Sequence, residues 1–228
     1  MRNHKVAEIK KSCHLADEIL AEVVENLRRG KSEIGVAAEI RKLSKSRANG
    51  LAFPSIVAFG RNSATPHHSP TERKLKTGNI VKIDLGVKID GFCSDITRTF
   101  FTRKPTDFQR KIYATVLAAQ KLGIRKVAIG ISGKNLDATV RDFLTRKGFA
   151  KNFIHGLGHG VGKRIHQNPK ISPKSKSNLK SGDIITIEPG LYFPGKFGIR
   201  IEDTVLVGKN GTEVLTSSSR KLKILKIG

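Results

Sequence analysis

Apolar side chains recur at three- and four-residue intervals over residues 6–29, which predicts an amphipathic helix that stops near Gly30. The same spacing predicts a second helix over about 33–46. The pattern then changes. The stretch GLAFPSIVAFGRNSATPHHSP predicts a strand followed by a loop. The chain therefore opens with a helix pair and passes into a sheet.

A β-hairpin is predicted next, because NIVKIDLGVKI and FCSDITRTFF flank the tight-turn dipeptide Asp90-Gly91. Thr106, with Gln109 three residues later, matches a capping box and predicts a helix that runs to about Val127.

The second part of the chain repeats this order. A helix is predicted over about 133–147, before Gly148, and HGLGHGVGKRIHQNP is predicted to be a loop. The strands DIITIEP and FGIRIEDTVLVG follow, with a turn at Pro194-Gly195. Helix, helix, strands and hairpin thus occur twice.

The repeat is visible in the letters themselves. LKTGNIVKIDLG, residues 75–86, returns as LKSGDIITIEPG, residues 179–190, with six of twelve positions identical and four closely similar. No linker rich in Pro, Gly or Ser separates the halves. We therefore expect residues 1–228 to form a single catalytic domain built from two similar halves, with no separate N-terminal domain.

The repeat places carboxylates at matching positions. It equates Asp84 with Glu188, and a second echo, GFCSDIT with GIRIEDT, equates Asp95 with Glu202. In the first hairpin Asp84 should lie opposite Thr97 with Asp95 on the same face. Glu188 and Glu202 should face one another across the second hairpin. Burying four carboxylates is costly unless Lys and Arg side chains or metal ions neutralise them.

Histidines favour metal over Lys and Arg pairs. His155, His159 and His166 lie within twelve residues of a glycine-rich stretch, just before the second carboxylate strand. Four carboxylates and an imidazole suit a pair of divalent ions such as manganese, cobalt, iron or zinc. Two such ions can generate a hydroxide near neutral pH.

Charge and composition limit the alternatives. The chain has 43 Lys+Arg against 19 Asp+Glu, a formal net charge of +24, and a basic surface attracts nucleic acid, ribosomes or anionic membranes. The cations are spread along the chain, so we favour a solvated basic surface over specific nucleic-acid binding. Two cysteines, no signal peptide and no apolar run of membrane-spanning length indicate a reducing, cytoplasmic protein without a membrane partner.

Four motifs together resemble the pita-bread metallopeptidases, which include methionine aminopeptidases, aminopeptidase P and prolidase. These motifs are HGLGHGVGKRIHQNP, IEPGLY, GIRIEDT and VKIDLGVKIDGFCSDITRTF, and the resemblance covers essentially the whole chain. It implies the α+β pita-bread (creatinase/aminopeptidase) fold, a curved antiparallel sheet flanked by paired helices with an internal pseudo-twofold repeat.

The resemblance also implies a ligand set and a catalytic set. Two divalent ions per subunit are expected, manganese or cobalt first and iron or zinc as alternatives. The metal ligands would be Asp84, Asp95, His159, Glu188 and Glu202, with Asp95 and Glu202 shared by both ions. The catalytic residues would be His67, His155, His166, Glu188 and Arg200, with Glu188 as proton shuttle and His166 as stabiliser of the tetrahedral intermediate.

His155 and Arg200 match the proline-directed branch of the family. Arg200 is expected beside a bridging carboxylate, and an ion pair with Glu202 or Asp203 is the plain structural alternative. The expected function is a dinuclear-metal aminopeptidase that cleaves the N-terminal bond of peptides, at Xaa-Pro bonds. Gln167 departs from the family, which often has Glu there.

Two alternatives remain open on the sequence. One is a methionine aminopeptidase, which the chain resembles in size. The other is a non-enzymatic member of the fold that binds nucleic acid or protein. The expected partners are peptide substrates, with a homodimer and a weak ribosome or RNA association through the basic surface as further predictions.

Overall fold

The computed structural model describes residues 2–209 and 211–228, and within them the helices form two pairs, one at the start of each half. Their bounds are α1 Arg2–Glu25, α2 Glu33–Arg47, α3 Asp107–Lys126 and α4 Gly133–Arg146. Serine or threonine caps begin three of them, as Ser32, Thr106 and Ser132 each accept a hydrogen bond from a backbone N–H of the first turn. The predicted capping box of Thr106 and Gln109 is confirmed.

The predicted bounds of the first helix were wrong. Helix α1 begins at Arg2 and ends at Glu25, five residues before Gly30. The chain leaves the helix because its backbone groups find partners elsewhere. The Arg29 N–H donates to the carbonyl of Ile227, and the Gly30 N–H donates to that of Leu75. Such long-range pairing cannot be seen in a local pattern.

Twelve short strands are present in the described residues, and every strand pair is antiparallel. Their bounds are β1 Ile56–Phe59, β2 Ile80–Leu85, β3 Lys88–Ile89, β4 Phe92–Cys93, β5 Ile96–Phe101, β6 Gly158–Gly160, β7 Gln167–Ile171, β8 Ile184–Ile187, β9 Gly190–Phe193, β10 Phe197–Arg200, β11 Asp203–Gly208 and β12 Gly211–Val214.

One sheet belongs to each half. The first has the order β1-β2-β5 and the second β12-β11-β8-β6-β7, while β9-β10 and β3-β4 form separate pairs. Helices α1 and α2 pack against the first sheet through a buried apolar cluster that includes Ile19, Val23, Ile40, Val81 and Ile83. Helices α3 and α4 pack against the second in the same way, through Val116, Val140, Leu144, Ile185 and Ile187. No described helix combines the length and the apolar character that crossing a membrane requires.

The predicted hairpin registers are confirmed. Asp84 pairs with Thr97. In the second hairpin Arg200 pairs with Gly190 and Asp203 with Ile187, so the same register places Glu202 across from Glu188. The strands are not continuous, however. They break around Asp95, Glu188 and Glu202, where the carboxylates turn towards one pocket.

The stretch predicted as a loop around His159 is a strand in part. His159 lies in β6, between the neighbouring strands β7 and β8. Glycine makes this possible. A Cβ on Gly158 would lie 2.0 Å from the Thr186 carbonyl oxygen, and one on Gly160 would lie 2.4 Å from that of Asn168. Gly158 and Gly160 thus allow the backbones of β6 and its neighbouring strands to approach closely enough to form a sheet.

Candidate metal centre

A pocket of about 280 Å³ lies between the two halves and gathers every residue that was predicted to be a metal ligand or a catalytic residue. Its walls include all five predicted ligands and the four other predicted catalytic residues, namely Asp84, Asp95, His159, Glu188, Glu202, His67, His155, His166 and Arg200. Phe53, Ile56 and Ile165 add apolar surface. Residues that lie more than 100 positions apart in the chain therefore meet in one cavity.

The donor atoms converge. One donor atom from each of Asp95, His159 and Glu202 lies within 4.8 Å of the other two, and all three residues are buried. His159 Nε2 is 3.6 Å from Asp95 Oδ2 and 3.4 Å from Glu188 Oε1. An imidazole nitrogen beside several carboxylate oxygens is a mixed donor set that suits divalent transition metals.

Hydrogen bonds orient the imidazole of His159. Its Nδ1 lies 3.2 Å from the carbonyl oxygen of Gly160, which can only accept, so Nδ1 carries the proton and the lone pair of Nε2 faces the carboxylates. The Thr186 hydroxyl accepts from the backbone N–H of His159 and donates to Glu188 Oε1. Burial, with help from His166, lowers the pKa of His159 to about 3. The ring is therefore neutral, as a metal ligand must be.

The carboxylates crowd one another. Burial raises the pKa of Asp95 well above its ordinary value, and Glu202 adds to the effect. Burial and then Glu188 raise the pKa of Glu202 in the same way. Burial raises the pKa of Glu188 to about 7, although Arg200 opposes this. The protein alone does not neutralise these groups, and divalent cations would.

The residues present fit such ions by a further observation. The Asp84 Oδ1 atom is buried and has no hydrogen-bond partner among the described residues. A buried oxygen without a donor is costly unless a cation occupies its lone pairs. Four oxygen-bearing side chains and one imidazole nitrogen around a single cavity match the chemistry of a two-ion centre.

Arg200 lies at the end of β10 and contacts Asp84. Its Nη2 donates to Asp84 Oδ2, and its Nε donates to the hydroxyl of Thr97 at 3.0 Å. The alternative partners considered from the sequence, Glu202 and Asp203, were wrong for this arginine. Asp203 instead pairs with the buried Arg98 at 2.6 Å on the far side of the sheet. The guanidinium thus binds the carboxylate that the repeat equates with Glu188.

A hydrogen-bonded chain leads from Arg200 to His155. Arg200 Nη1 donates to the Tyr192 hydroxyl at 2.8 Å, and that hydroxyl lies 2.9 Å from His155 Nε2. His155 Nδ1 lies 2.7 Å from the Gly156 carbonyl oxygen, so Nδ1 donates there and Nε2 accepts from Tyr192. Burial, then Arg200, lowers the pKa of His155 to about 3. Protein groups therefore engage both ring nitrogens of His155.

His67 and His166 lie at the mouth of the pocket, and both are exposed. The His166 ring meets that of His159 edge to face, with centroids 4.4 Å apart. Although the residues are exposed overall, partial desolvation in the pocket lowers the pKa of each ring, with contributions from Arg200 at His67 and from Lys170 at His166. Both rings are neutral near pH 7 and can reach a molecule in the pocket.

Sequence reasoning missed the supporting residues. Thr97 donates to Glu202 Oε2 and accepts from Arg200, Tyr192 joins Arg200 to His155, and Lys170 lies at the rim of the pocket. The position of Tyr192 in the motif IEPGLY was the available signal. Thr97 was predicted only as the register partner of Asp84, and nothing in the residue pattern marked Lys170.

Comparison with known proteins agrees with this geometry. A family model described as metallopeptidase family M24 matches residues 7–209. The Xaa-Pro dipeptidase of Pyrococcus furiosus is 42% identical over 215 residues, which are 94% of this chain and 62% of the relative. The chain thus spans about three fifths of the length of the curated relatives it matches.

Solved structures give the same result. A prolidase from Thermococcus sibiricus superposes with a TM-score of 0.95 at 40% identity, covering 98% of this chain and 61% of that one. An X-Pro aminopeptidase from Thermotoga maritima superposes with a TM-score of 0.94 at 35% identity, covering 98% of this chain and 64% of that one.

Proposed function

The chain belongs to metallopeptidase family M24 and has its α+β pita-bread fold, and from this premise we propose that it hydrolyses the N-terminal bond of peptides whose second residue is proline. The observation that carries the proposal is the meeting, in one pocket, of a five-residue ligand set with the Arg200–Tyr192–His155 chain. The first part supplies hydrolysis, and the second matches the proline-directed pattern of the sequence.

Asp84, Asp95, His159, Glu188 and Glu202, which all line the pocket, would hold two divalent ions. When bound, the ions supply positive charge that polarises the scissile carbonyl and lowers the pKa of water. Arg200 keeps the Asp84 carboxylate oriented, and Thr97 and Thr186 do the same for Glu202 and Glu188.

Glu188 is the proposed proton carrier. Its Oε1 is held by the Thr186 hydroxyl and lies beside His159, and its side chain stays partly exposed to the cavity. In this arrangement Glu188 takes the proton that the attacking water loses. It then delivers that proton to the nitrogen of the departing residue, so the N–H bond forms as the C–N bond breaks.

His166 and His67 are proposed to contact the substrate directly. A neutral imidazole N–H of His166 can donate to the carbonyl oxygen as it gains charge in the tetrahedral state. His67, which also lines the pocket, would meet the residue that follows the cleaved bond. His155 has both nitrogens engaged, so its proposed role is to hold Tyr192 and, through it, Arg200.

Peptide length is the finer question. The relatives named above include proteins called prolidase or dipeptidase and one called X-Pro aminopeptidase, and they point in different directions. We propose aminopeptidase action on longer peptides, with strict dipeptide cleavage as the second candidate. The homodimer, the ribosome association and the cytoplasmic location stay predictions.

The experiment incubates a panel of peptides with manganese-loaded protein. The products are separated by chromatography and identified by their mass. Ala-Pro-Ala-Ala should release alanine, and the matched control Ala-Ala-Ala-Ala should not. Cleavage of Ala-Pro alone would favour the dipeptidase. Release of methionine from Met-Ala-Ser without any Xaa-Pro cleavage would contradict the proposal and favour a methionine aminopeptidase.

A further inference from the structure

His67 is placed by the backbone that carries it. It lies in the His67 loop, residues 60–71, which connects β1 to the segment before β2. Among the described residues, no group hydrogen-bonds the His67 ring, and the residue is exposed. Because no hydrogen bond from the described part of the chain holds the His67 ring, the backbone of the loop determines the position of the ring. The groups that fix the loop therefore decide where His67 meets a substrate.

The side chain of Lys82 forms hydrogen bonds with this loop. It is fully buried on β2, two residues before Asp84, and so shares the face of that carboxylate. Its Nζ donates to the carbonyl oxygens of Ser63 at 3.0 Å, Thr65 at 2.7 Å and Pro66 at 3.4 Å. An ammonium has three donors, and three loop carbonyls accept them.

The burial of a lysine side chain in the interior of a strand requires an explanation. A buried ammonium is costly even when it is hydrogen-bonded, and a strand interior normally takes an apolar side chain. All three hydrogen bonds of Lys82 end within four residues before His67. The Pro66 carbonyl also accepts from Arg200 Nη1 at 3.2 Å, which ties the residue next to His67 to the pocket itself.

The side chain of Glu33 also forms hydrogen bonds with the His67 loop. It begins α2, is fully buried, and its hydrogen-bond donors within the described part of the chain belong to the loop and its flanks. The donors are Phe59 N at 2.7 Å, Asn62 Nδ2 at 2.9 Å, His68 Nε2 at 2.8 Å, Thr71 N at 3.0 Å and Thr71 Oγ1 at 2.6 Å. One of these donors, His68, is the neighbour of His67.

We propose that Lys82 and Glu33 are positioning residues, a buried lysine that donates to the carbonyls of the His67 loop and a buried glutamate that accepts from its N–H and O–H groups, and that together they fix His67 for substrate binding. This inference rests on the proposed function, in which His67 contacts the residue after the cleaved bond. Neither side chain reaches the substrate itself. Their effect on the reaction passes through His67.

A double-mutant cycle tests that route. Lys82→Met keeps the length of the side chain and removes its donors. In the manganese-loaded protein it should raise the KM for Ala-Pro-Ala-Ala about tenfold or more with little change in kcat, while both metal ions stay bound. In a His67→Ala background the same substitution should change KM by less than about twofold.

The matched control is Ile83→Val. Ile83 is equally buried on the same strand but faces the apolar cluster behind it, so its effect should be the same in both backgrounds. An equal effect of Lys82→Met with and without His67, or no effect at all, would overturn the proposal.

Hydrogen exchange gives a readout that does not need activity. Lys82→Met and Glu33→Gln should each speed backbone exchange in residues 60–71 by about tenfold or more beyond any change in the helices α3 and α4, which report the loss of global stability. Unchanged exchange in the loop would overturn the proposal even if the protein is an active peptidase. If the wild type cleaves none of the peptides, the proposed function fails, while this exchange result still decides whether Lys82 and Glu33 fix the His67 loop. If the Lys82→Met variant does not fold, the exchange rates of the Glu33→Gln variant alone test the proposal.

Discussion

Arg200 Nη2 donates to Asp84 Oδ2, and this buried ion pair joins the two halves of the molecule. Asp84 belongs to β2 in the first half and Arg200 to β10 in the second. The guanidinium holds one carboxylate oxygen, and the other, Oδ1, has no hydrogen-bond partner in the described part of the chain. The bond that orients Asp84 thus leaves one of its oxygens for a cation.

Replacing Arg200 with Met should weaken the centre through Asp84. The substitution removes the donors to Asp84, Thr97 and Tyr192, so we expect manganese affinity or kcat/KM to fall by about 10- to 100-fold. Calorimetric titration with manganese and peptide hydrolysis measure the two effects. Wild-type affinity together with wild-type kcat/KM in this variant would show that the ion pair does not support the site.

Tyr192→Phe removes a single hydroxyl from the chain between Arg200 and His155. We expect a smaller loss, about tenfold in kcat/KM, because Arg200 keeps its bond to Asp84. The loss should not add to that of His155→Ala, since both substitutions break the same link. Additive losses, measured as kcat/KM in the double variant, would show that His155 and Tyr192 act independently.

His166→Ala should lower kcat by on the order of 10²-fold while both ions stay bound, because a donor to the developing oxyanion is lost. Elemental analysis of the purified variant gives the metal content. His14→Ala is the matched control, since His14 lies exposed on α1, where it pairs with Glu18. A variant at His166 with wild-type kcat would remove this residue from the mechanism.

Asp95→Asn should abolish activity and most of the stabilisation that manganese gives. In the metal-free protein we expect it to be no less stable than the wild type, because it removes one charge from the group formed with Glu202 and Glu188. Thermal unfolding with and without manganese measures both effects. A wild-type rise in melting temperature on adding manganese would mean that Asp95 is not a ligand.

The stability of the protein should fall in acid partly through Glu33. Burial raises the pKa of Glu33, but hydrogen bonds from Thr71, His68 and the Phe59 N–H outweigh it, so the pKa lies below its ordinary 4.5. A lowered folded pKa gives stability that is present above 4.5 and is lost as the pH falls through the folded value. His68 is the titratable group bound to Glu33, and Arg73 lies next to it through a backbone contact.

Denaturant unfolding of Glu33→Gln as a function of pH measures this contribution. At pH 7 the variant should be less stable by about 1–3 kcal/mol, since buried donors lose their charged acceptor. The difference from the wild type should shrink as the pH falls below 4.5. A difference that does not depend on pH would contradict the assignment.

Much of the fold could be predicted from local rules. The capping box of Thr106 and Gln109 and the register that sets Asp84 against Thr97 both follow from patterns within a few residues or across one turn. The four carboxylates were singled out because the repeat places carboxylates at matching positions. The resemblance to a known family then identified His159 within its glycine-rich stretch.

What the sequence could not show depends on contacts between the halves. Lys82 looks like a strand lysine that should be half exposed, and only the packing of the His67 loop shows that it is buried. The partner of Arg200 was misjudged because Glu202 and Asp203 are near in sequence while Asp84 is near in space. The early end of α1 has the same cause, since Ile227 and Leu75 take the backbone groups after it.

The central claim is that two halves of this chain bring Asp84, Asp95, His159, Glu188 and Glu202 around one pair of divalent ions. The most direct measurement is a crystal structure of manganese-soaked protein with anomalous difference maps calculated at the manganese edge. The account predicts two peaks in the pocket, both bordered by Asp95 and Glu202. No peak there in fully soaked crystals, or manganese only at surface carboxylates, would contradict it.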